Sequence, residues 1–133
     1  MILSGEISPD GKLFAFTNTG YTRHLLHIVD LATEKEIATF PMERSWSGLA
    51  WSPDGKRIYV SGGAVKTGYD IFAFDYWDKE GWHEARGSRG GLNLVGASKD
   101  NSAISSIVVS ADGKVLYAVN NSDGFVYILE TLK

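Results

Sequence analysis

Two histidines, His24 and His27, stand at the spacing in this sequence that most suggests metal chemistry. A zinc site needs several ligands that converge on one ion. If this segment is a strand, residues three apart point to opposite faces of the sheet and cannot share an ion. The remaining histidine, His83, lies far along the chain. We therefore predict no metal site and no cofactor.

Serine and acidic residues are plentiful, but their spacing does not indicate a catalytic site. The Gly-x-Ser-x-Gly pattern of a nucleophile elbow does not occur in the sequence. Asp30, Asp75 and Glu130 each end an apolar run. An acid that recurs at such positions is typical of turn hydrogen bonding rather than of proton transfer. We predict no catalytic residue and expect that the chain is not an enzyme.

The stretch from Trp77 to Asn101 is where we expect a binding contact. It combines aromatic, basic and glycine residues and shows little regular alternation. Long insertions on a rigid scaffold often carry function. The same composition also fits a surface excursion whose tryptophans pack on the sheet. The residues predicted to contact a ligand or partner are Trp77, Trp82, Arg86 and Arg89.

A turn signal that occurs three times predicts the elements that position these residues. Residues 8–12 and 52–56 read Ser-Pro-Asp-Gly-Lys, and residues 110–114 read Ser-Ala-Asp-Gly-Lys. Proline and aspartate suit the centre of a type I turn, and glycine suits the position after it, where φ can be positive. The run after each turn is rich in β-branched and aromatic residues, as strands are. Each signal therefore predicts a β-hairpin.

The three turns define a repeating unit. Their aspartates are Asp10, Asp54 and Asp112, which are 44 and then 58 positions apart. A unit of about 40–45 residues with four strands is the period of a β-propeller blade. We predict an all-β fold of four-stranded antiparallel blades in a single domain, 1–133. Blade 1 covers about 1–43, blade 2 about 44–101 with an insertion at 77–101, and blade 3 about 102–133 without its outer strand.

The same residues resemble a known family. Ser-Pro-Asp-Gly-Lys-x-x-Tyr-Val at 52–60, the copy at 110–119 with its trailing Asn-Asn, and the run at 28–33 are similar to the bacterial YVTN β-propeller repeats. The resemblance covers nearly all of the chain except 77–101. It implies the propeller fold and leaves the function open, because such propellers occur in surface-layer proteins, periplasmic binding proteins, lactonases and the front modules of some phosphoesterases.

Composition narrows the choice of partners. The chain has 133 residues, a net charge of −3 and no cysteine. The lack of a basic field argues against nucleic acid, and the lack of a long apolar run argues against a membrane. No apolar leader follows Met1, which indicates a cytoplasmic chain as written. The proteins it resembles are largely exported, so a removed signal peptide stays an alternative.

Three blades leave two end faces that neighbours would cover in a full ring. Each face measures roughly 300 Å², and together they reach the size of patches that mark interaction surfaces. Propellers commonly have about four to eight blades, so two copies would close a six-bladed ring. We predict a homodimer with seven candidate interface residues: Ile2, Phe14, Phe16, Leu116, Tyr117, Phe125 and Tyr127.

Two functions fit this architecture. The chain is either a non-catalytic scaffold that presents a surface to itself, another protein or a small ligand, or a fragment of a propeller-containing enzyme. The enzyme would be lactonase-like, quinoprotein-like or a phosphoesterase with a front propeller. It would need convergent acids, histidines or metal ligands along the inner strands. Those strands offer mainly serines and one acid, Glu6, so we favour the scaffold that self-assembles into a closed ring.

Overall fold

A computed structural model describes residues 1–62, 70–85, 91–92 and 103–131. In these ranges the chain forms twelve strands arranged as three antiparallel sheets, and it contains no helix. Accordingly, no helix long and apolar enough to cross a bilayer occurs in this part of the chain. The predicted all-β class is confirmed.

The strands follow the chain order within each sheet. The first sheet contains β1 (Ile2–Ile7), β2 (Leu13–Asn18), β3 (His24–Asp30) and β4 (Lys35–Met42). The second contains β5 (Leu49–Trp51), β6 (Arg57–Ser61), β7 (Ile71–Trp77) and β8 (Gly81–Glu84), and β9 (Gly91–Leu92) also pairs with β7. The third contains β10 (Ile104–Val109), β11 (Val115–Asn120) and β12 (Phe125–Glu130).

The repeated signal forms the hairpin turn between the first two strands of every sheet. In the first turn the Ser8 hydroxyl donates to Asp10 Oδ1 at 2.6 Å and accepts the amide N–H of Leu13 at 2.9 Å. The amide N–H of Lys12 donates to the same carboxylate oxygen at 3.0 Å. Gly11 has a φ of 74°, which explains why glycine follows the aspartate. The same bonds recur in the other two turns.

Each sheet has two faces whose residues alternate along the strands. We call the face that carries Ile7, Trp51 or Val109 the front face of its sheet, and the opposite one the back face. Residues paired directly across strands share a face, so the register assigns the other side chains. The sheets stack in chain order, with the second between the first and the third.

Two apolar cores hold this stack together. The first lies between the back face of the first sheet and the front face of the second, and it contains Ala15, Leu26, Ile28, Ile58, Val60, Phe72 and Phe74. The second lies between the back face of the second sheet and the front face of the third, and it contains Ala50, Tyr59, Ile71, Ala73, Ile104, Ile107, Leu116 and Ala118. In the part of the chain that the structure describes, the stack therefore ends in two faces that no other sheet covers.

Candidate functional site

The two end faces differ from the buried faces in environment rather than in sequence pattern. Tyr59 and Tyr117 are both the fifth residue after a turn aspartate, and both lie on a back face. Tyr59 is 1% exposed, whereas Tyr117 is 40% exposed. On the front faces, Trp51 is 7% exposed, and Ile7 at the same repeat position is 59% exposed. The end faces thus repeat the apolar pattern of buried interfaces without being covered.

The front face of the first sheet is an aromatic surface near its inner strands. Phe14 pairs with Ile7, and Phe16 pairs with Gly5. The two phenyl rings stack with their centroids 5.6 Å apart. The Phe14 ring lies directly over Gly5, because a Cβ added at Gly5 would come within 2.7 Å of that ring. The glycine therefore makes room for an aromatic side chain that stays partly exposed.

Toward the outer strands the same face carries a polar cluster among further apolar residues. His27 stacks on Phe16 at a centroid distance of 4.7 Å. Its Nδ1 lies 2.6 Å from a Glu36 carboxylate oxygen and its Nε2 lies 2.9 Å from Asn18 Oδ1. The Thr39 hydroxyl also donates to Glu36. These hydrogen bonds, with that of Thr39 the largest contribution, lower the pKa of Glu36.

The back face of the third sheet is more uniformly apolar. Val108, Tyr117 and Ile128 form one row across the three strands, and they are 57%, 40% and 71% exposed. Val119 and Val126 form the next row. Monomeric proteins seldom leave such a contiguous apolar surface open, and one that is open usually marks an interaction site.

The predicted interface residues fall on two different kinds of surface. Ile2, Phe14 and Phe16 lie on the open front face of the first sheet, and Tyr117 lies on the open back face of the third. The other three face the second sheet: Leu116, Phe125 and Tyr127. Leu116 is fully buried there, Tyr127 packs on the second core, and Phe125 is exposed at the strand end.

Strand alternation turns Leu116 and Tyr127 toward the second sheet, so the structure places them on a covered face and not on an open one. The open faces also carry apolar residues that the prediction left out. The repeat position combined with strand alternation could have identified them, because it separates the two faces once one buried interface is known. They include Ile7, Val108, Val119, Val126 and Ile128.

The structure does not bring the predicted ligand residues together. Trp77 and Trp82 occupy opposite faces of the second sheet, since Trp82 pairs with Tyr76 and not with Trp77. Trp82 packs on the first core, with its ring edge toward Trp51 at 5.6 Å. Trp77 faces the other way and stacks on His83 at 4.7 Å. Arg86 and Arg89, like most of 86–102, lie outside the described residues.

In the described ranges, the histidines and serines that could do chemistry make hydrogen bonds within the fold. No three histidines or acids come together there as metal ligands. The Ser45 hydroxyl lies 3.2 Å from His24 Nδ1, which resembles a nucleophile and its base. However, the same nitrogen already accepts the Ser45 amide N–H at 2.9 Å. It is therefore poorly placed to take the hydroxyl proton.

The inner strands likewise hold few reactive groups. Glu6 is their acid, and burial raises its pKa. Ser47 lies just before β5, where its hydroxyl donates to the Ser105 carbonyl at 2.8 Å. The Trp51 indole donates to the Glu6 carbonyl at 3.2 Å. These contacts tie the inner strands of neighbouring sheets to each other.

Comparisons with known proteins identify the fold. Neither a family model nor a curated protein matches the sequence. A chain in the crystal structure of the mitotic checkpoint complex matches with a TM-score of 0.74 at 16% identity, over 99% of this chain and 36% of that one. A functionally unknown protein from Desulfotomaculum acetoxidans gives a TM-score of 0.74 at 16% identity, over 99% and 38%. TolB from Acinetobacter baumannii gives 0.60 at 18%, over 100% and 33%.

These likenesses show a β-propeller-type fold, because the matching structures include propeller proteins. The identities are low, so the likeness extends to the fold alone. The chain spans about a third of the length of each matching chain. Its three sheets are thus comparable to part of a propeller, which agrees with the two uncovered faces.

Proposed function

We propose that this chain is a non-catalytic β-propeller interaction module of the YVTN type that closes a six-bladed ring with a second copy of itself. The front face of the first sheet in each copy packs on the back face of the third sheet in the other. Such a head-to-tail contact is heterologous, and two copies close it into a ring.

The observation that carries the proposal is the match between open and buried faces. Inside the chain, a back face always packs on the front face of the next sheet. The uncovered pair consists of one front face and one back face. A second copy supplies the complementary face at both ends, so that a back face again packs on a front face as it does in the two buried interfaces.

The area involved is sufficient for a stable dimer. Two faces of roughly 300 Å² from each copy bury about 1,200 Å² in total, which is the lower bound of stable protein interfaces. The inner rows are apolar, whereas His27 and Glu36 place a polar patch toward the rim. An apolar centre with a polar rim is the usual organisation of an interface.

The absence of catalysis is part of the same proposal. In the described residues, Ser45 and His24 are held by a backbone hydrogen bond, and no acids cluster. The alternative, a fragment of a propeller enzyme, predicts turnover that a point mutation abolishes. A screen for lactonase and phosphoesterase activity distinguishes the non-catalytic module from the enzyme fragment.

Mixing two variants tests the head-to-tail contact. Phe16→Asp disables the front face and Ile128→Asp disables the back face. Either variant alone has no intact interface and should have a monomer mass by light scattering. An equimolar mixture retains one intact interface, between the back face of the Phe16→Asp copy and the front face of the Ile128→Asp copy. The mixture should therefore recover a dimer mass at concentrations well above those at which the unmodified chain dimerises.

A matched control is Leu31→Asp, which places the same charge at an exposed apolar residue in the turn after β3. This variant should stay dimeric. A mixture that remains monomeric, or single variants that dimerise as well as the unmodified chain, would contradict the head-to-tail ring.

A further inference from the structure

A cavity of about 480 Å³ opens at the end of the first sheet where β2 finishes and β3 begins. Its volume lies within the range of small-molecule sites. The wall combines part of β1, the turn after β2, the start of β3 and the segment that joins β4 to β5. None of the residues assigned to the two open sheet faces lines it. The lining residues include Leu3, Thr19, Tyr21, His24, Arg44 and Trp46.

Hydrogen bonds to His24 hold this wall in place. The Ser45 amide N–H donates to His24 Nδ1 at 2.9 Å, and the Ser45 hydroxyl lies 3.2 Å from the same nitrogen. These contacts fasten the segment after β4 to the first residue of β3, and the neighbours of Ser45 on both sides, Arg44 and Trp46, line the cavity. Because Nδ1 accepts an amide hydrogen, the hydrogen of the neutral imidazole lies on Nε2. His24 therefore supplies an N–H donor to the wall.

Thr19 supplies a second donor, which the fold leaves without a partner. The residue is 2% exposed, and its Oγ1 makes no hydrogen bond in the part of the chain that the structure describes. Buried hydroxyls are nearly always hydrogen-bonded, and an unpaired one lowers stability. Because Thr19 lines the cavity, a polar atom of a bound molecule would provide the missing partner. The unpaired hydroxyl thus points to a ligand independently of the cavity's size.

The strand register brings the two donors together. Asn18 pairs with Leu25 in the ladder between β2 and β3. Thr19 follows Asn18 and His24 precedes Leu25, so Thr19 and His24 are neighbours across the two chain segments and share a face of the sheet. One acceptor group in the cavity is therefore within the same neighbourhood as both donors.

The charge of the wall favours an anion. Arg44 is exposed and has no ion-pair partner among the described residues. No acidic residue of the described ranges lines the cavity. A guanidinium group binds a carboxylate through two parallel hydrogen bonds. The ligand group that suits Arg44, His24 and Thr19 together is therefore a carboxylate.

The rest of the wall favours an aromatic body. Tyr21 is fully exposed, and Trp46 and Leu3 are 46% and 38% exposed. All three side chains line the cavity. Aromatic rings stack on one another or meet edge to face, and such contacts add to the gain from burying apolar surface. A flat apolar ring would contact this part of the wall without leaving a polar group unpaired.

From these features we infer that the cavity binds a small aromatic carboxylate. The carboxylate accepts hydrogen bonds from Arg44, from His24 Nε2 and from the Thr19 hydroxyl, and the ring lies against Tyr21 and Trp46. The inference goes beyond ring closure, because it assigns a ligand to an end of the first sheet that the ring contact does not use.

Titration calorimetry of the full chain with 3-phenylpropanoate tests the inference. The titration should show saturable binding of one molecule per chain. Two matched probes separate the contributions of the two ends of the ligand. The amide 3-phenylpropanamide keeps the ring and removes the charge, whereas propanoate keeps the carboxylate and removes the ring. Each should bind about tenfold more weakly or worse, because a charge-assisted hydrogen bond or an aromatic contact is lost.

A pair of arginine variants assigns the carboxylate contact. Arg44→Gln should weaken binding of 3-phenylpropanoate about tenfold or more, since the charge-assisted hydrogen bonds are lost. It should change binding of the uncharged amide little. Arg23→Gln is the matched control, because Arg23 is also exposed and precedes β3 at the same end of the sheet but does not line the cavity. This control should bind as the unmodified chain does.

Thr19→Val should have two effects of opposite sign. The substitution replaces the unpaired hydroxyl with a methyl group, so the melting temperature of the ligand-free chain should stay the same or rise. Binding of 3-phenylpropanoate should weaken about threefold to tenfold, because the carboxylate loses a donor. A hydroxyl with a merely structural role would give a lower melting temperature and unchanged binding.

Several results would overturn the inference: a lack of saturable binding at millimolar 3-phenylpropanoate, equal affinity for the acid and its amide, or equal losses in Arg44→Gln and Arg23→Gln. Tighter binding of an acetylated peptide that ends in phenylalanine would assign the cavity to a polypeptide end instead. Phe16→Asp, which disables the ring contact, should bind 3-phenylpropanoate normally, and loss of binding there would place the ligand at the ring contact. Circular dichroism of each variant confirms that a loss of binding does not reflect unfolding.

Discussion

The front faces of the first and second sheets use the same repeat positions, but only that of the second sheet is covered. Phe14 and Phe16 of the first sheet stand where Ile58 and Val60 stand in the second. Ile58 and Val60 are fully buried against the first sheet, whereas the two phenylalanines remain partly exposed. The chain thus keeps large apolar residues at an open face, whereas the surface of a monomeric protein seldom carries such a contiguous apolar patch.

The two faces also differ toward the rim. In the second sheet Phe72 pairs with Val60, but in the first sheet His27 pairs with Phe16 and is hydrogen-bonded to Glu36. The open face is therefore apolar near the inner strands and carries a hydrogen-bonded polar pair among apolar residues further out. An apolar centre with polar groups toward the rim is the usual organisation of an interface.

The largest expected contrast is between Ile58→Ala and Phe14→Ala, which truncate the same repeat position on the covered and the open face. Ile58→Ala should lower the free energy of unfolding by about 2–5 kcal/mol, because it leaves a cavity in the first core. Phe14→Ala should change the unfolding of the single chain much less, but it should remove the concentration dependence of the melting temperature. Urea and thermal melts at several protein concentrations check both outcomes. Equal losses of single-chain stability would contradict the contrast.

Two glycines test the same difference between a covered region and an open face. An added Cβ at Gly48 would come within 2.9 Å of the Ser61 Cβ and 3.2 Å of Ile107, in the packed region between the second and third sheets. Gly48→Ala should therefore cost about 1–3 kcal/mol of unfolding free energy. At Gly5 the added Cβ would meet the far end of the Phe14 ring, a side chain that lies on the open face.

Gly5→Ala should consequently cost less than about 1 kcal/mol in the single chain while weakening the dimer. Chemical denaturation and light scattering measure the two quantities. A Gly5→Ala variant less stable than Gly48→Ala would show that the front face of the first sheet is packed more tightly than its exposure indicates.

The smallest effect is expected for the turn aspartates, whose contribution to stability does not depend on whether a sheet face is covered. Bonds from the turn serine, followed by those from the lysine amide, lower the pKa of Asp10, Asp54 and Asp112. A pKa that is lower in the folded chain than in the unfolded one stabilises the fold above the ordinary aspartate value of about 3.9. This contribution is lost as the pH falls through the lowered values.

Asp54→Asn keeps an acceptor oxygen but removes the titration. Its unfolding free energy should therefore fall less steeply than that of the unmodified chain between about pH 5 and pH 2. Asp10→Asn and Asp112→Asn should behave alike, because all three turns are built in the same way. A variant whose acid dependence is as steep as that of the unmodified chain would show that other carboxylates control acid unfolding.

Local sequence was sufficient to predict the hairpins and their repetition. The Ser-x-Asp-Gly-Lys signal specifies its own hydrogen bonds, as in the contacts of Ser8 with Asp10, so the turns and the all-β class followed directly. Which face a strand residue occupies depends instead on register and on the neighbouring sheet. Leu116 and Tyr117 are adjacent in sequence and similar in hydrophobicity, yet one is buried and the other lies on the open face.

The sites are harder to predict for the same reason. Trp77 and Trp82 look equivalent in sequence, but the short turn between β7 and β8 places them on opposite faces of the second sheet. Trp82 becomes part of a core and Trp77 part of a cleft wall.

Whether the two open faces cover each other in a ring of two copies is decided by the mass of the chain in solution. Multi-angle light scattering on the size-exclusion peak at micromolar concentration should give twice the 14.5 kDa of the single chain. Because the contact is mainly apolar, this mass should persist at high salt. A single-chain mass under these conditions would contradict self-assembly, and a trimer mass would contradict the six-bladed ring.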